Sequence, residues 1–159
     1  MKKLKKPFEG HPDYKCFGCS PANPIGLNLD FYDDGDYVKI DWEPREEFQG
    51  FINVLHGGIQ ATIMDEIAAW CVNIKAKTAG VTKSFNMQYH KPAYVNKGTL
   101  HFRAQLLRME KNIAIIKTEL FDDKGVLCSE GEFYYFTYPE AIAKRRLMYP
   151  GIEAFYDGN

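Results

Sequence analysis

The stretch Leu55-His-Gly-Gly-Ile-Gln-Ala-Thr-Ile-Met-Asp-Glu-Ile-Ala-Ala-Trp-Cys-Val-Asn-Ile-Lys-Ala76 decides how this chain is read. From Gly57 to about Ala76, Ile59, Ile63, Ile67, Trp70 and Ile74 recur at three- and four-residue steps, the spacing of one long amphipathic helix. At one hundred degrees per residue these bulky side chains gather on one face, which a sheet is expected to cover. The opposite face carries Gly58, Ala61, Asp65, Ala68, Ala69 and Val72, so a lone carboxylate sits among side chains too small to hide it. Glu66 points along a polar edge with Thr62 and Asn73, where a solvated or salt-bridged side chain is expected. Asp has poor helix propensity, and an acid among alanines at an interface is costly unless hydrogen bonds or chemistry require it. Asp65 is therefore the candidate catalytic base.

His56-Gly57-Gly58 opens the helix, where unpaired backbone N–H groups and the positive end of the macrodipole point outward. Such an N–H suits the oxyanion that a carbonyl develops under nucleophilic attack. Gly57 and Asp65 are eight residues apart, roughly 12 Å along the axis at 1.5 Å per residue. One carbonyl cannot touch both. If both act on the same carbon, they come from two copies of the helix, antiparallel about a two-fold axis, and a homodimer with two composite sites is expected.

Outward from the helix the pattern changes to period two. Ile25 to Phe31 alternates as a half-buried strand, Asp33 to Asp36 turns the chain, and Val38, Ile40 and Trp42 alternate again before Pro44. Arg45 to Leu55 reads as a loop. After the helix, strands are expected at about Thr82–Tyr89, Thr99–Arg108, Ile113–Phe121 and Val126–Thr137, separated by short polar breaks that favour antiparallel neighbours. An antiparallel sheet curled around one buried helix is an α+β plan. The expected organisation is an irregular N-terminal segment (1–24), one domain (25–138) and a C-terminal tail (139–159). The tail carries Lys144-Arg145-Arg146 on a short helix and reads as a solvated appendage, its basic cluster within the means of meeting a ligand phosphate.

The 159 residues are 45% hydrophobic and 26% charged with net charge -1, so no global field favours nucleic acid or an anionic membrane. No aromatic-basic stripe suggests base stacking. Lys2 to Lys6 is not followed by an apolar run, and nowhere do eighteen apolar residues stand together. The expectation is a cytoplasmic protein without nucleic-acid or membrane partners. Cys16, Cys19, Cys71 and Cys128 are then expected as free thiols. Cys16-Phe-Gly-Cys19, with His11 upstream, offers at most three zinc-type ligands, whereas a structural zinc site usually takes four; no metal and no cofactor are expected.

These residues resemble the hot-dog thioesterases of the 4-hydroxybenzoyl-CoA thioesterase superfamily, within them the phenylacetate-pathway (PaaI-like) and human mitochondrial thioesterase-like branch. The resemblance covers about Cys16 to Tyr138. It is carried by Leu55 to Glu66, with the Asp nine positions after the His, by Gly80-Val-Thr-Lys-Ser-Phe-Asn-Met-Gln-Tyr-His-Lys-Pro92, and by Cys16-Phe-Gly-Cys-Ser-Pro-Ala-Asn-Pro-Ile-Gly-Leu27. It implies the hot-dog fold, an acyl-CoA substrate, and assembly as a homodimer or homotetramer. It also implies that Asp65 acts as general base or nucleophile, that the Gly57 amide polarises the thioester carbonyl, and that Thr82 assists. The Asn or Gln that relatives place before the HGG is matched by Gln49, with Asn53 as the alternative. His56 is expected to shape the loop, and Asn53, His56, Gly58 and Lys83 to line the bound substrate. The rival readings are a non-catalytic acyl-CoA sensor on the same fold, which the acid at position 65 disfavours, and a hot-dog hydratase, which needs a differently placed acid-base pair.

Overall fold

The computed structural model describes residues 1–158. Seven strands form one antiparallel sheet: β1 (Lys2–Lys3), β2 (Tyr32–Asp34), β3 (Tyr37–Trp42), β4 (Gly80–Tyr89), β5 (Leu100–Glu110), β6 (Ile113–Phe121) and β7 (Leu127–Thr137). Their order across the sheet is β1-β2-β3-β5-β6-β7-β4. One long helix, α1 (Gly57–Cys71), continues into a π-helical turn over Val72–Ala76 and stops at Lys77, whose φ of 54° is left-handed. The sheet wraps α1, as the alternation of periods led one to expect of an α+β chain, and the architecture is the hot-dog fold that the resemblance implied.

Ile63, Ile67, Trp70 and Ile74 are buried as the helical periodicity requires, and Ile59 is half-buried. The buried sector is wider than one face, because Ala68 and Val72, expected on the open side, are also fully enclosed. Segments far away in sequence cover them, and local periodicity carries no trace of such cover. Trp70 stacks on Phe31 at 4.0 Å between ring centroids and meets the edge of Phe155 at 5.4 Å. Phe155 and Ala143 are 0% exposed, so the end of the chain packs into the core where a solvated tail was expected. A short helix, α2 (Glu140–Arg146), does carry the basic cluster, on exposed positions.

Ile25–Phe31 is not a strand. Leu27, Leu29 and Phe31 are buried in alternation, but Asn28 sits at φ 49° and the Leu27 and Leu29 N–H groups donate to Phe17 and Gly18. Alternation without a sheet partner is burial, not pairing. The hairpin instead runs β2 to β3 across Gly35. No helix among the described residues is long and apolar enough to cross a membrane.

Candidate active site

β4 lies at the edge of the sheet, bonded to β7 on one side only. Its register sets Thr82 opposite Tyr135, so both hydroxyls leave the sheet on the same face, toward α1. There they meet Asp65. Thr82 Oγ1 donates to Asp65 Oδ1 at 2.8 Å. The Tyr135 hydroxyl donates to the same Oδ1 and lies 2.7 Å from the Asp65 carbonyl oxygen. Tyr135 is buried, and its acidity is suppressed by that burial first and by the Asp65 charge second, so it remains a protonated donor. Both bonds fall on Oδ1. Asp65 Oδ2 has no hydrogen-bond donor among the described residues, and the half-buried carboxylate is open on that side.

The N-terminal end of α1 is built from backbone. His56 is the N-cap: its Nδ1 accepts the Gly58 N–H at 2.9 Å, which fixes the ring and uses one of the helix's orphan donors. A Cβ on Gly58 would stand 3.0 Å from that nitrogen, tight enough to disturb the cap. The Gly57 carbonyl accepts from the Tyr89 hydroxyl at 2.7 Å, while the Gly57 N–H has no acceptor among the described residues. An outward-facing amide at a helix start is a ready hydrogen-bond donor for developing negative charge. Beside it lies a hollow of about 320 Å³ lined by Gly50, Phe51, Val54, Leu55, His56 and Gly57.

Gln49 and Asn53 belong to the loop that forms this hollow, although neither lines it. Gln49 Oε1 accepts the Asn53 N–H at 2.8 Å, closing a turn in which Asn53 takes φ 63°. Gln49 therefore holds the loop with its oxygen, and its amide NH2 has no acceptor among the described residues; Asn53 contributes its backbone. Lys83 is exposed at the bulge between Thr82 and Ser84, without an ion pair among the described residues. The structure thus brings Asp65 and Thr82 together, and separately gathers Gln49, Asn53, His56, Gly57 and Gly58.

Two tyrosines were missed. Tyr135 occupies an inward position of β7, between buried Phe133 and Thr137, and a buried Tyr needs a partner for its hydroxyl. That inward phase was the available signal. Tyr89, exposed on β4, gave none.

Glu66 departs from its expected solvated edge. Its side chain turns under the N-terminal segment, where the Cys16 thiol donates to Oε1 at 3.3 Å, and no ion pair reaches it among the described residues. Burial first, and the charge on Cys16 whenever that thiol is ionised, push Glu66 up to about 8. The hydrogen bond from the Cys19 thiol lowers Cys16, while Cys19 itself is raised, by that same bond and by burial.

The thioesterase superfamily model matches residues 52–129, which span the helix and the strands that position Asp65 and Gly57 up to the start of β7. A candidate esterase of Thermoplasma acidophilum is 26% identical over 82% of this chain and 98% of its own length. Among solved structures, a thioesterase superfamily protein shares the fold at TM-score 0.70 and 19% identity, over 76% of this chain; the match spans 59% of that protein, less than two thirds of its length. A Streptococcus mutans protein bound to acetyl CoA matches at TM-score 0.64 and 18% identity, over 71% of this chain and 90% of its own.

Proposed function

We propose that this chain, a member of the thioesterase superfamily with the hot-dog fold, hydrolyses an acyl-CoA to the free acid and CoA at a site shared by two copies. The observation that carries the reading is the Asp65 carboxylate, anchored through Oδ1 by Thr82 and Tyr135 and free at Oδ2. An anchored carboxylate with one open oxygen is oriented to take a proton from water. The water oxygen then adds to the thioester carbon, and the oxyanion accepts a hydrogen bond from the Gly57 N–H. As the C–S bond breaks, the proton on Asp65 passes to the departing CoA sulfur. The acetyl CoA held by the Streptococcus mutans neighbour supports a CoA thioester as the substrate class.

Gly57 and Asp65 lie too far apart on one helix to serve the same carbonyl, so the site takes each from a different protomer. The edge of β4 supplies the contact: ten residues long, unpaired on its outer side among the described residues, with Val81, Phe85 and Tyr89 exposed. A long apolar edge strand is a template for a second chain. Two β4 strands meeting antiparallel would set two copies of α1 antiparallel beneath them. Phe51, which lines the Gly57 hollow, and its chain neighbour Ile52 are 86% and 85% exposed and add apolar surface that a partner and an acyl chain would cover.

Complementation tests both parts. Gly57→Pro removes the N–H at the first helical position, where proline is tolerated, and Asp65→Asn removes the base. Each variant alone should release thiol from acyl-CoA at a rate lower by about 100-fold or more. When the two are mixed so that protomers exchange, heterodimers carry one intact site and activity should return. No recovery from a mixture shown to exchange would place Gly57 and Asp65 in one protomer's site and sink the shared arrangement. Wild-type protein that releases no thiol from short, medium, long-chain or aromatic acyl-CoAs would sink the enzyme itself.

A further inference from the structure

We propose that Cys16, Cys19 and Glu66 form a binding site for a thiophilic divalent cation of the zinc type, fastening the N-terminal segment to the back of α1. The ligand atoms of the three side chains all lie within 4.8 Å of one another. A tetrahedral zinc at about 2.3 Å from sulfur and about 2.1 Å from oxygen holds its donors roughly 3.5–3.8 Å apart, so closure needs movements of about an ångström. Two thiolates and a carboxylate are a donor set that zinc accepts, and the sulfurs select against magnesium and calcium.

The surroundings are built for this convergence. Gly18, between the two cysteines, has its missing Cβ where the Glu66 carboxylate lies: a methyl group there would stand 2.6 Å from Glu66 Cδ and 2.7 Å from Oε2. The Cys16-Phe-Gly-Cys19 loop closes on itself, with the Cys19 N–H donating to Cys16 Sγ at 3.4 Å. Tyr14 sets its hydroxyl 2.9 Å from Cys19 Sγ, the kind of outer partner that orients a metal ligand. Every member of the cluster becomes negative on ionising, and no Lys, Arg or His pairs with Glu66 among the described residues. A divalent cation supplies the missing positive charge, and three protein ligands leave its fourth position to a water. The cysteines anticipated His11 as their companion, but His11 is exposed and its Nδ1 accepts the Asp13 N–H at 3.2 Å. The helix supplies the third ligand instead, from a residue fifty positions away.

The test is cobalt(II) and zinc(II) titration of the full chain, reduced and stripped of metal by a chelator. One equivalent of cobalt should bind with the intense visible bands of a tetrahedral site and near-ultraviolet thiolate-to-cobalt charge transfer, and zinc should displace it. Cys16→Ala and Cys19→Ala should each weaken binding about tenfold or more and diminish the charge-transfer band. Glu66→Gln should weaken binding while leaving that band, because both sulfurs remain. The wild-type spectrum stands on its own if a variant does not fold. Binding of well under one equivalent by the reduced wild type, or a cobalt spectrum without thiolate bands, overturns the proposal. So does an unchanged affinity in folded Cys16→Ala and Cys19→Ala chains.

Discussion

Asp65 and Glu66 are neighbours in sequence and carry the same functional group, yet α1 turns them to opposite environments. Asp65 faces the edge of the sheet, where two hydroxyls from β4 and β7 hold one oxygen and leave the other open. Glu66 faces the N-terminal segment, where two thiols and a glycine enclose it. One helical step of one hundred degrees separates a carboxylate held by two hydroxyls at one oxygen from one enclosed beneath the N-terminal segment. Residue type and neighbourhood in the chain do not assign a role. The partner that approaches each face does.

The largest expected effect breaks this contrast on the Asp65 side. Asp65→Asn keeps the shape and the Thr82 contact but cannot take a proton, so kcat for thioester hydrolysis should fall by about 10²–10⁴-fold while the unfolding midpoint moves little. A rate within about threefold of wild type, with the fold intact, would remove Asp65 from the chemistry. On the other side, Gly18→Ala drives a methyl group into the Glu66 carboxylate and should cost about 1–3 kcal/mol in denaturant unfolding. Gly10→Ala, which meets nothing within 4 Å, is the control and should shift stability by less than about 0.5 kcal/mol. Equal effects from the two substitutions would mean that Glu66 is not confined as described.

Smaller effects sharpen the contrast. Tyr135→Phe leaves the ring in the core but removes one anchor from Asp65 and should cost about 1 kcal/mol of stability. Its kcat should fall with KM nearly unchanged, which distinguishes orientation of the base from loss of substrate contact. His56→Ala removes the N-cap and should lower stability by roughly 0.5–1 kcal/mol, read as a modest drop in thermal midpoint. If kcat for His56→Ala instead fell as far as for Asp65→Asn, the ring would be transferring protons and not only shaping the turn.

Local pattern determined much of this protein. The 3.6-residue period from Gly57 onward, the period-two runs after Gly80 and the short polar breaks between them fix one long helix and an antiparallel sheet, because secondary structure answers to nearby residues. The helix start and the lone Asp65 were legible for the same reason: capping, backbone exposure and a carboxylate among small side chains all lie within ten positions of one another. Only the tertiary structure decided what lies across from each side chain. Thr82 and Tyr135 converge on Asp65 through the β4–β7 register, Glu66 meets Cys16 fifty residues away, and Phe155 returns to cover Trp70. The strand-like alternation of Leu27, Leu29 and Phe31 found no sheet partner, because strand pairing is settled by which chain arrives alongside. Contacts between distant segments are chosen by packing the whole chain at once, and no window of sequence contains them.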